Sequence, residues 1–281
     1  RAEYELMHWV RSSPVPQVAL VDGVVMGCGA GLAINGAFRV VTERASFAMP
    51  EGAIGFFPDV GANWWLPRIP IPGAGCYIAL TGVRLSAVDM ICAGLATHFV
   101  ASDRLQALES GLRQAAASSR ALDVGAILAA HATEPDRSNS VLLANAAALE
   151  RCFAQPRSVA AIFEALRELS RDGSKWAEET LRVLETRSPT TLKLSFAAMS
   201  RGVEMDFDDV LRMEFRLAMA VFKMHIAGPR DGDVYEGTHV ILVEKKGTPR
   251  WSPASVQDVD DQDILSMFAP LRHRQELQLG G

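Results

Sequence analysis

Short apolar segments alternate with helical patterns over the first hundred residues, and this alternation constrains the fold more than any other feature of the sequence. The segment Val18–Val21 is a continuous apolar run, which is typical of a buried strand. Segments 38–42, 45–49 and 97–100 have a similar character, with glycine-rich turns or short helical patterns between them. The sequence therefore predicts an α/β fold built from stacked ββα units.

Beyond about Leu105 the sequence shows mainly alanine-rich helical patterns, and only the apolar residues within Glu236–Glu244 leave a strand or a helix open. Ser188 and Pro189 mark a helix start, because serine caps free backbone N–H groups and proline fits the first helical position. Segment 252–263 is acidic and predicted to be irregular. The predicted helices cover residues 105–119, 123–131, 140–153, 158–169, 176–187 and 206–224.

Two polar stretches divide the helical part of the chain. Residues 136–140 and 170–174 combine serine, asparagine, aspartate and glycine, the composition of a linker. The sequence predicts a ββα core over residues 1–122, a helical segment over 123–187 and a C-terminal helical region over 188–281.

Composition excludes several classes of protein. The chain of 281 residues has 49% hydrophobic and 22% charged residues, which is ordinary for a globular protein. Its net charge of −5 offers no basic field for nucleic acid, and a local cluster at Lys245, Lys246 and Arg250 is interpreted as a solvated turn. No run of about 18 apolar residues predicts a membrane span.

Cysteines and histidines give no sign of a metal site. The four cysteines form no C-x-x-C pair, and the histidines form no H-x-x-x-H pair. Cysteines in apolar contexts suggest buried free thiols in a reducing compartment.

A glycine-rich turn follows the first strand and opens a helix. Residues 27–31 read Gly-Cys-Gly-Ala-Gly, after the apolar segment Val24–Met26. The free N–H groups at a helix start suit an oxygen that gains negative charge, as an oxyanion hole requires. The spacing fits neither the phosphate loop nor the dinucleotide fingerprint.

Two acidic residues, Glu51 and Asp59, stand in a shaped loop rich in proline and glycine. Their neighbours are mostly apolar, and a carboxylate in such surroundings is unfavourable unless it is partnered or functional. Desolvation would raise the pKa of each carboxyl towards the range that suits attack or proton transfer near neutral pH.

These segments resemble the crotonase (enoyl-CoA hydratase/isomerase) superfamily, and within it the 3-hydroxyisobutyryl-CoA hydrolases. Met-Pro-Glu at 49–51 together with Phe-Pro-Asp-Val-Gly at 57–61 is specific to the hydrolase branch. The resemblance covers nearly the whole chain and implies a crotonase-type spiral of stacked ββα units followed by a C-terminal helical region. The matching stretches are residues 1–4, 18–32, 47–61, 79–82, 93–100, 188–193, 213–217, 236–237 and 249–251.

The resemblance implies a role for four residues. Glu51 would attack the thioester carbonyl or activate water, and Asp59 would orient the 3-hydroxyl of the substrate and assist proton transfer. The backbone N–H of Cys28 would be one donor to the thioester oxygen, and Glu3 would line the acyl pocket. The reaction would need no metal or redox cofactor, because coenzyme A arrives as part of the substrate.

The chain departs from the family pattern at three places. Hydratases of the superfamily carry a second catalytic glutamate where this chain has Gly31, so water addition to a double bond is disfavoured. Cys28 replaces the middle of three consecutive glycines, which adds a side chain beside the acyl group. The family's first strands, and a loop giving the second oxyanion donor, are expected before Arg1, so the core over residues 1–122 is predicted to lack its N-terminal part.

The leading hypothesis is a hydrolase of a short 3-hydroxyacyl-CoA, which the resemblance would place in the mitochondrial matrix, alone or as a homo-oligomer. A second hypothesis is a structural protein, because relatives of this branch occur in the small subunit of the mitochondrial ribosome. A weaker third is an isomerase that uses Glu51 as a base.

Overall fold

The structure is a computed structural model that describes residues 1–117, 123–226, 232–272 and 275–280. Across these ranges the strands form two three-stranded sheets, ordered β1-β3-β6 and β2-β4-β5, and all of them precede residue 100. The strands are β1 Val18–Val21, β2 Val24–Met26, β3 Phe38–Val41, β4 Ser46–Ala48, β5 Leu85–Ser86 and β6 His98–Phe99.

Each of the first two pairs of consecutive strands places one strand in each sheet. β1 runs parallel to β3, with Val18 opposite Phe38, and β2 runs parallel to β4, with Met26 opposite Ala48. A helix follows the second strand of the first pair, so the chain advances as a spiral of ββα units. The predicted strand at 18–21 is confirmed, whereas the strand at Val24–Met26 was not predicted separately.

Helices cover most of the remaining chain. They are α1 Ala2–Ser12, α2 Cys28–Ile34, α3 Ala62–Trp65, α4 Ala74–Thr81, α5 Ala87–Cys92, α6 Leu105–Ala117, α7 Val124–His131, α8 Val141–Ala144, α9 Ala146–Phe153, α10 Val159–Arg171, α11 Lys175–Glu185, α12 Pro189–Gly202, α13 Phe207–Ile226, α14 Asp233–Thr238 and α15 Asp261–Ser266. Single 3₁₀ turns occupy Glu51–Ile54, Leu66–Arg68, Ser102–Arg104, Arg137–Asn139 and Val256–Asp258, and a π-helix spans His239–Glu244. No helix in the described ranges is long and apolar enough to cross a membrane.

The sequence located most of these helices, and their caps explain why. Ser188 caps α12 as predicted, because its Oγ accepts a hydrogen bond from the N–H of Thr191 at 3.1 Å. Residues 118 and 119 of the helix predicted over 105–119 lie outside the described residues.

Two predictions about where helices lie were wrong, each because of the hydrogen bond of one polar side chain. The single helix predicted over 140–153 is broken at Asn145, whose Nδ2 donates to the carbonyl of Val141 at 2.8 Å and competes with the helical hydrogen bonds. Segment 252–263 is not irregular throughout, because Asp260 caps α15 by accepting the N–H of Gln262 at 2.8 Å.

One hydrophobic core joins the sheets to the later helices. Buried residues from all three predicted parts belong to it, for example Phe47, Leu166 and Leu217. A smaller cluster that includes Val40 and Leu128 packs α6 and α7 beside β3. The three-part division remains a prediction, and its first boundary, at residue 122, falls outside the described residues.

Helix α14 lies directly on the 3₁₀ turn that begins at Glu51. A methyl group at Gly237 would be 2.4 Å from the carbonyl carbon of Ile54, and one at Gly55 would be 2.2 Å from the carbonyl oxygen of Asp233. The two backbones are therefore in contact, and only glycine permits that approach.

We expect Gly237→Ala to destabilise the fold by about 1–3 kcal/mol, because the added methyl group forces α14 away from the turn. Urea unfolding followed by circular dichroism measures the change. Gly111→Ala is the matched control: it also lies within a helix, but a methyl group there meets only side-chain atoms at 3.7 Å or beyond, so the change should be neutral or stabilising. Equal stability of both variants would contradict the expectation.

Candidate active site

Glu51 begins the 3₁₀ turn after β4, and its side chain is buried, with 7% of the residue exposed. Among the described residues its Oε2 has no hydrogen-bond partner. Burial raises the pKa of this carboxyl to about 8, and the negative charge of Asp59 contributes to the rise. Glu51 therefore holds or releases a proton close to neutral pH.

Asp59 lies at the far end of the same loop and is 8% exposed. The hydroxyl of Tyr4 donates to its Oδ2 at 2.7 Å. Burial raises the pKa of Asp59 to about 7; the charge of Glu3 adds to the rise, whereas the Tyr4 hydrogen bond opposes it. One carboxylate oxygen is thus held by Tyr4 from α1.

Cys28 is the first residue of α2 and follows Gly27, which has a φ of +52°. The first N–H groups of a helix have no intrahelical acceptor, so the amide of Cys28 is a free donor of the helix itself. Burial raises the pKa of the Cys28 thiol to about 11, and a hydrogen bond to Glu3 adds to the effect. The thiol is therefore protonated at neutral pH, which makes it a poor nucleophile.

The structure brings these four predicted residues together. A methyl group at Gly27 would lie 3.1 Å from Oε1 of Glu51, so the carboxyl of Glu51 faces the peptide that leads into α2. Electrostatic interactions connect Asp59 with Glu51, with Glu3 and with Cys28. Residues from α1, from the start of α2 and from both ends of the acidic loop thus form one cluster, and their individual roles remain predictions.

The space beside Gly31, where the family resemblance would place the second glutamate of a hydratase, is filled. A methyl group at Gly31 would lie 2.6 Å from Cβ of Val60 and 2.8 Å from Sδ of Met7. Val60 and Met7 are both fully buried. No glutamate side chain could occupy this position without displacing both of them.

Sequence reasoning missed two residues of the cluster. Tyr4 faces the interior on α1, and Glu214 lies fully buried on α13, where its carboxylate accepts the N–H of Gly61 at 2.7 Å. Glu214 shares the apolar face of its helix with Leu211 and Leu217, so an acidic residue at a core position was the available signal. Tyr4 gave no comparable signal, because its partner Asp59 is distant in the sequence.

The cluster has the composition of a proton-transfer or nucleophilic site. Within the described ranges, no three His, Cys, Asp or Glu residues are placed to hold a metal ion. Buried carboxyls with raised pKa values next to a helix start can supply a base or nucleophile together with a donor for a developing oxyanion.

Comparison with known proteins agrees with this architecture. A family model described as enoyl-CoA hydratase/isomerase matches residues 1–268. A mouse (Mus musculus) protein named 3-hydroxyisobutyryl-CoA hydrolase, mitochondrial, is 40% identical over 274 residues, which cover 96% of this chain and 68% of that protein. The human protein of the same name is 38% identical over 274 residues, with the same coverage of both chains.

A solved structure shares the fold. The carnitinyl-CoA dehydratase from Mycobacterium thermoresistibile superposes with a TM-score of 0.85 at 34% identity, covering 99% of this chain and 74% of that chain. The predicted crotonase-type α/β fold with a helical C-terminal region is therefore confirmed. From the family match and these relatives together, the chain belongs to the enoyl-CoA hydratase/isomerase family.

Proposed function

We propose that this chain hydrolyses the thioester of a short 3-hydroxyacyl-CoA, with 3-hydroxyisobutyryl-CoA as the substrate. The observation that carries the proposal is the buried carboxyl of Glu51, with one unpartnered oxygen and a pKa raised to about 8, packed against the residue that precedes α2. Relatives named 3-hydroxyisobutyryl-CoA hydrolase, at 38% and 40% identity, support the choice of substrate.

Glu51 acts in its ionised form. It either attacks the thioester carbonyl carbon or takes a proton from a water molecule that attacks there. In the first route the C–S bond breaks to leave a mixed anhydride between the acyl group and Glu51, and a water molecule hydrolyses it to the acid and the free Glu51 carboxylate. In the second route the water oxygen adds to the carbonyl carbon and the C–S bond breaks directly to give the acid. In both routes coenzyme A leaves as its thiolate and takes up a proton. The N–H of Cys28 donates to the carbonyl oxygen as negative charge develops on it, a contribution that is typically worth about 100- to 1,000-fold in rate.

Asp59 and Glu3 bind the acyl part of the substrate in this proposal. Because Tyr4 occupies Oδ2 of Asp59, we assign Oδ1 to the 3-hydroxyl group of the substrate. Asp59 also assists proton transfer, which its pKa of about 7 suits. Glu3 lines the acyl pocket beside Cys28, whose thiol pKa it helps to raise.

The alternatives receive less support. Hydration of a double bond needs a second carboxylate, and the position for it at Gly31 is filled by Val60 and Met7. No feature of the described residues favours an isomerase that uses Glu51 as a base. The relatives are named as hydrolases, which lends no support to a ribosomal subunit.

The proposal also covers cofactors, partners and location. The reaction uses no metal or redox cofactor, and coenzyme A enters only as part of the substrate. Because the relatives are named mitochondrial, we place the protein in the mitochondrial matrix, alone or as a homo-oligomer.

Replacing Glu51 by glutamine should abolish hydrolysis. Glu51→Gln keeps the shape of the side chain but removes the nucleophile or base, so we expect kcat to fall by about 1,000-fold or more. Release of free thiol from the thioester measures the rate. Glu5→Gln, on the exposed face of α1, is the matched control and should keep full activity. Unchanged thiol release by the Glu51 variant would refute the mechanism.

The rate of hydrolysis should rise with pH. Glu51 must lose its proton to act, so we expect kcat to increase from about pH 6 to about pH 9 with an apparent pKa near 8. Because the negative charge of Asp59 raises the pKa of Glu51, Asp59→Asn should move the profile to lower pH. A profile that falls over this range, or one that moves to higher pH in Asp59→Asn, would contradict the assignment.

A further inference from the structure

We propose that Glu214 is a positioning residue that holds the turn after Asp59 in the conformation that aims the Asp59 carboxylate at the substrate. The inference rests on the proposed function, because that function assigns the substrate hydroxyl to Asp59. It concerns a residue of α13 that is distant in the sequence from the acidic loop.

The turn that carries Asp59 has an unfavourable backbone conformation. Val60 has a φ of +55° and Gly61 a φ of +92°, so two consecutive residues are left-handed. A β-branched residue such as Val60 rarely adopts this conformation, and it persists only where the surrounding structure imposes it. The local sequence alone therefore does not fix the direction of Asp59.

Buried hydrogen bonds impose this conformation from three sides. Nδ2 of Asn35 donates to the carbonyl of Val60 at 2.8 Å, and Nδ2 of Asn63 donates to the carbonyl of Pro58 at 2.8 Å. Glu214 supplies a third hydrogen bond: its Oε2 accepts the N–H of Gly61 at 2.7 Å.

The other oxygen of Glu214 fixes the residue after the turn. Oε1 accepts both the backbone N–H of Asn63, at 3.1 Å, and its Nδ2, at 2.9 Å. Glu214 is fully buried and forms no ion pair with a cation among the described residues. Burial raises the pKa of Glu214 to about 8, and three donors oppose that rise by favouring the charged form: the N–H of Gly61 and the N–H and Nδ2 of Asn63.

The same turn also fills the space opposite Gly31. The side chain of Val60 would be 2.6 Å from a methyl group at that glycine. Because Val60 lies between Asp59 and Gly61, a shift of the Gly61 amide moves both the carboxylate and the side chain that closes the hydratase position. A glutamate that accepts this amide therefore controls the geometry of the acyl pocket without touching substrate.

Glu214→Gln tests the proposal, because glutamine has the same shape but presents an NH₂ group to donors that need an acceptor. The readout is kcat/KM on two thioesters, the 3-hydroxyacyl-CoA and the same acyl-CoA without the hydroxyl. We expect kcat/KM to fall by about tenfold or more for the first and by less than about threefold for the second. Asp59→Asn should give the same pattern, and Asp59→Asn with Glu214→Gln should add no further loss.

Equal losses on both thioesters, or additive losses in the double variant, would show that Glu214 only supports the fold and would overturn the proposal. If Glu214→Gln does not fold, Glu214→Asp replaces it, because that change keeps the carboxylate but draws it back by one methylene group from the N–H of Gly61. The ratio of kcat/KM on the 3-hydroxyacyl-CoA to kcat/KM on the acyl-CoA without the hydroxyl is then expected to fall, and an unchanged ratio rejects the proposal.

A measurement without substrate separates this proposal from the proposed function. Proton NMR of the Tyr4 ring reports the position of Asp59, because the Tyr4 hydroxyl donates to that carboxylate. Because the charge of Glu214 also acts on Tyr4, the variant for this measurement is Glu214→Asp, which keeps that charge. We expect it to move the amide resonance of Gly61 and the ring resonances of Tyr4 together. Movement of Gly61 alone would mean that Glu214 merely caps α3. If the wild-type protein has no hydrolase activity but the Glu214 substitution still moves both sets of resonances, the hydrolase function is rejected and the positioning role stands.

Discussion

Burial of carboxyl groups around a single turn is the constraint on which the rest of the site depends. Glu51, Asp59 and Glu214 are each less than a tenth exposed, and burial raises the pKa of all three to about 7 or 8. Such groups are tolerated only where donors or a function compensate for lost hydration. Asp59 and Glu214 have donors from Tyr4 and from the turn, whereas Glu51 keeps an oxygen without a partner. The unpartnered buried oxygen of Glu51 supports its proposed role as the reactive group.

Close backbone contact is what allows these acids to be placed so accurately. The turn at Glu51 is covered by α14 through Gly237, and the start of α2 approaches Glu51 at Gly27. The contact at Gly237 leaves no room for a side chain, and a methyl group at Gly27 would lie 3.1 Å from Oε1 of Glu51, so α2 and α14 both hold the loop closely. The helical C-terminal region is therefore part of the site as well as its support, because α13 supplies Glu214 and α14 covers the turn of Glu51.

The space beside Gly31 is filled. Val60 and Met7 leave no room for a side chain at this position, which supports the proposed preference for hydrolysis over hydration. Val60 reaches that position through a left-handed backbone that Asn35, Asn63 and Glu214 sustain. In the proposed function the same turn aims Asp59 and keeps the space beside Gly31 closed, which would link the choice of substrate to the choice of reaction.

The sequence by itself determined the α/β class and most helix bounds, and together with the family resemblance it proposed the four candidate site residues. Apolar runs, capping residues and glycine-rich turns act over a few neighbouring positions, so a sequence pattern can predict them. The helix break at Asn145 and the helix cap at Asp260 were not predicted, because each depends on the hydrogen bond of a single polar side chain. Only the tertiary structure decided that Tyr4 holds Asp59, that Glu214 holds the turn, and that Val60 closes the space at Gly31. Those contacts join residues distant in the chain, and no local pattern encodes which distant partner will meet a buried polar group.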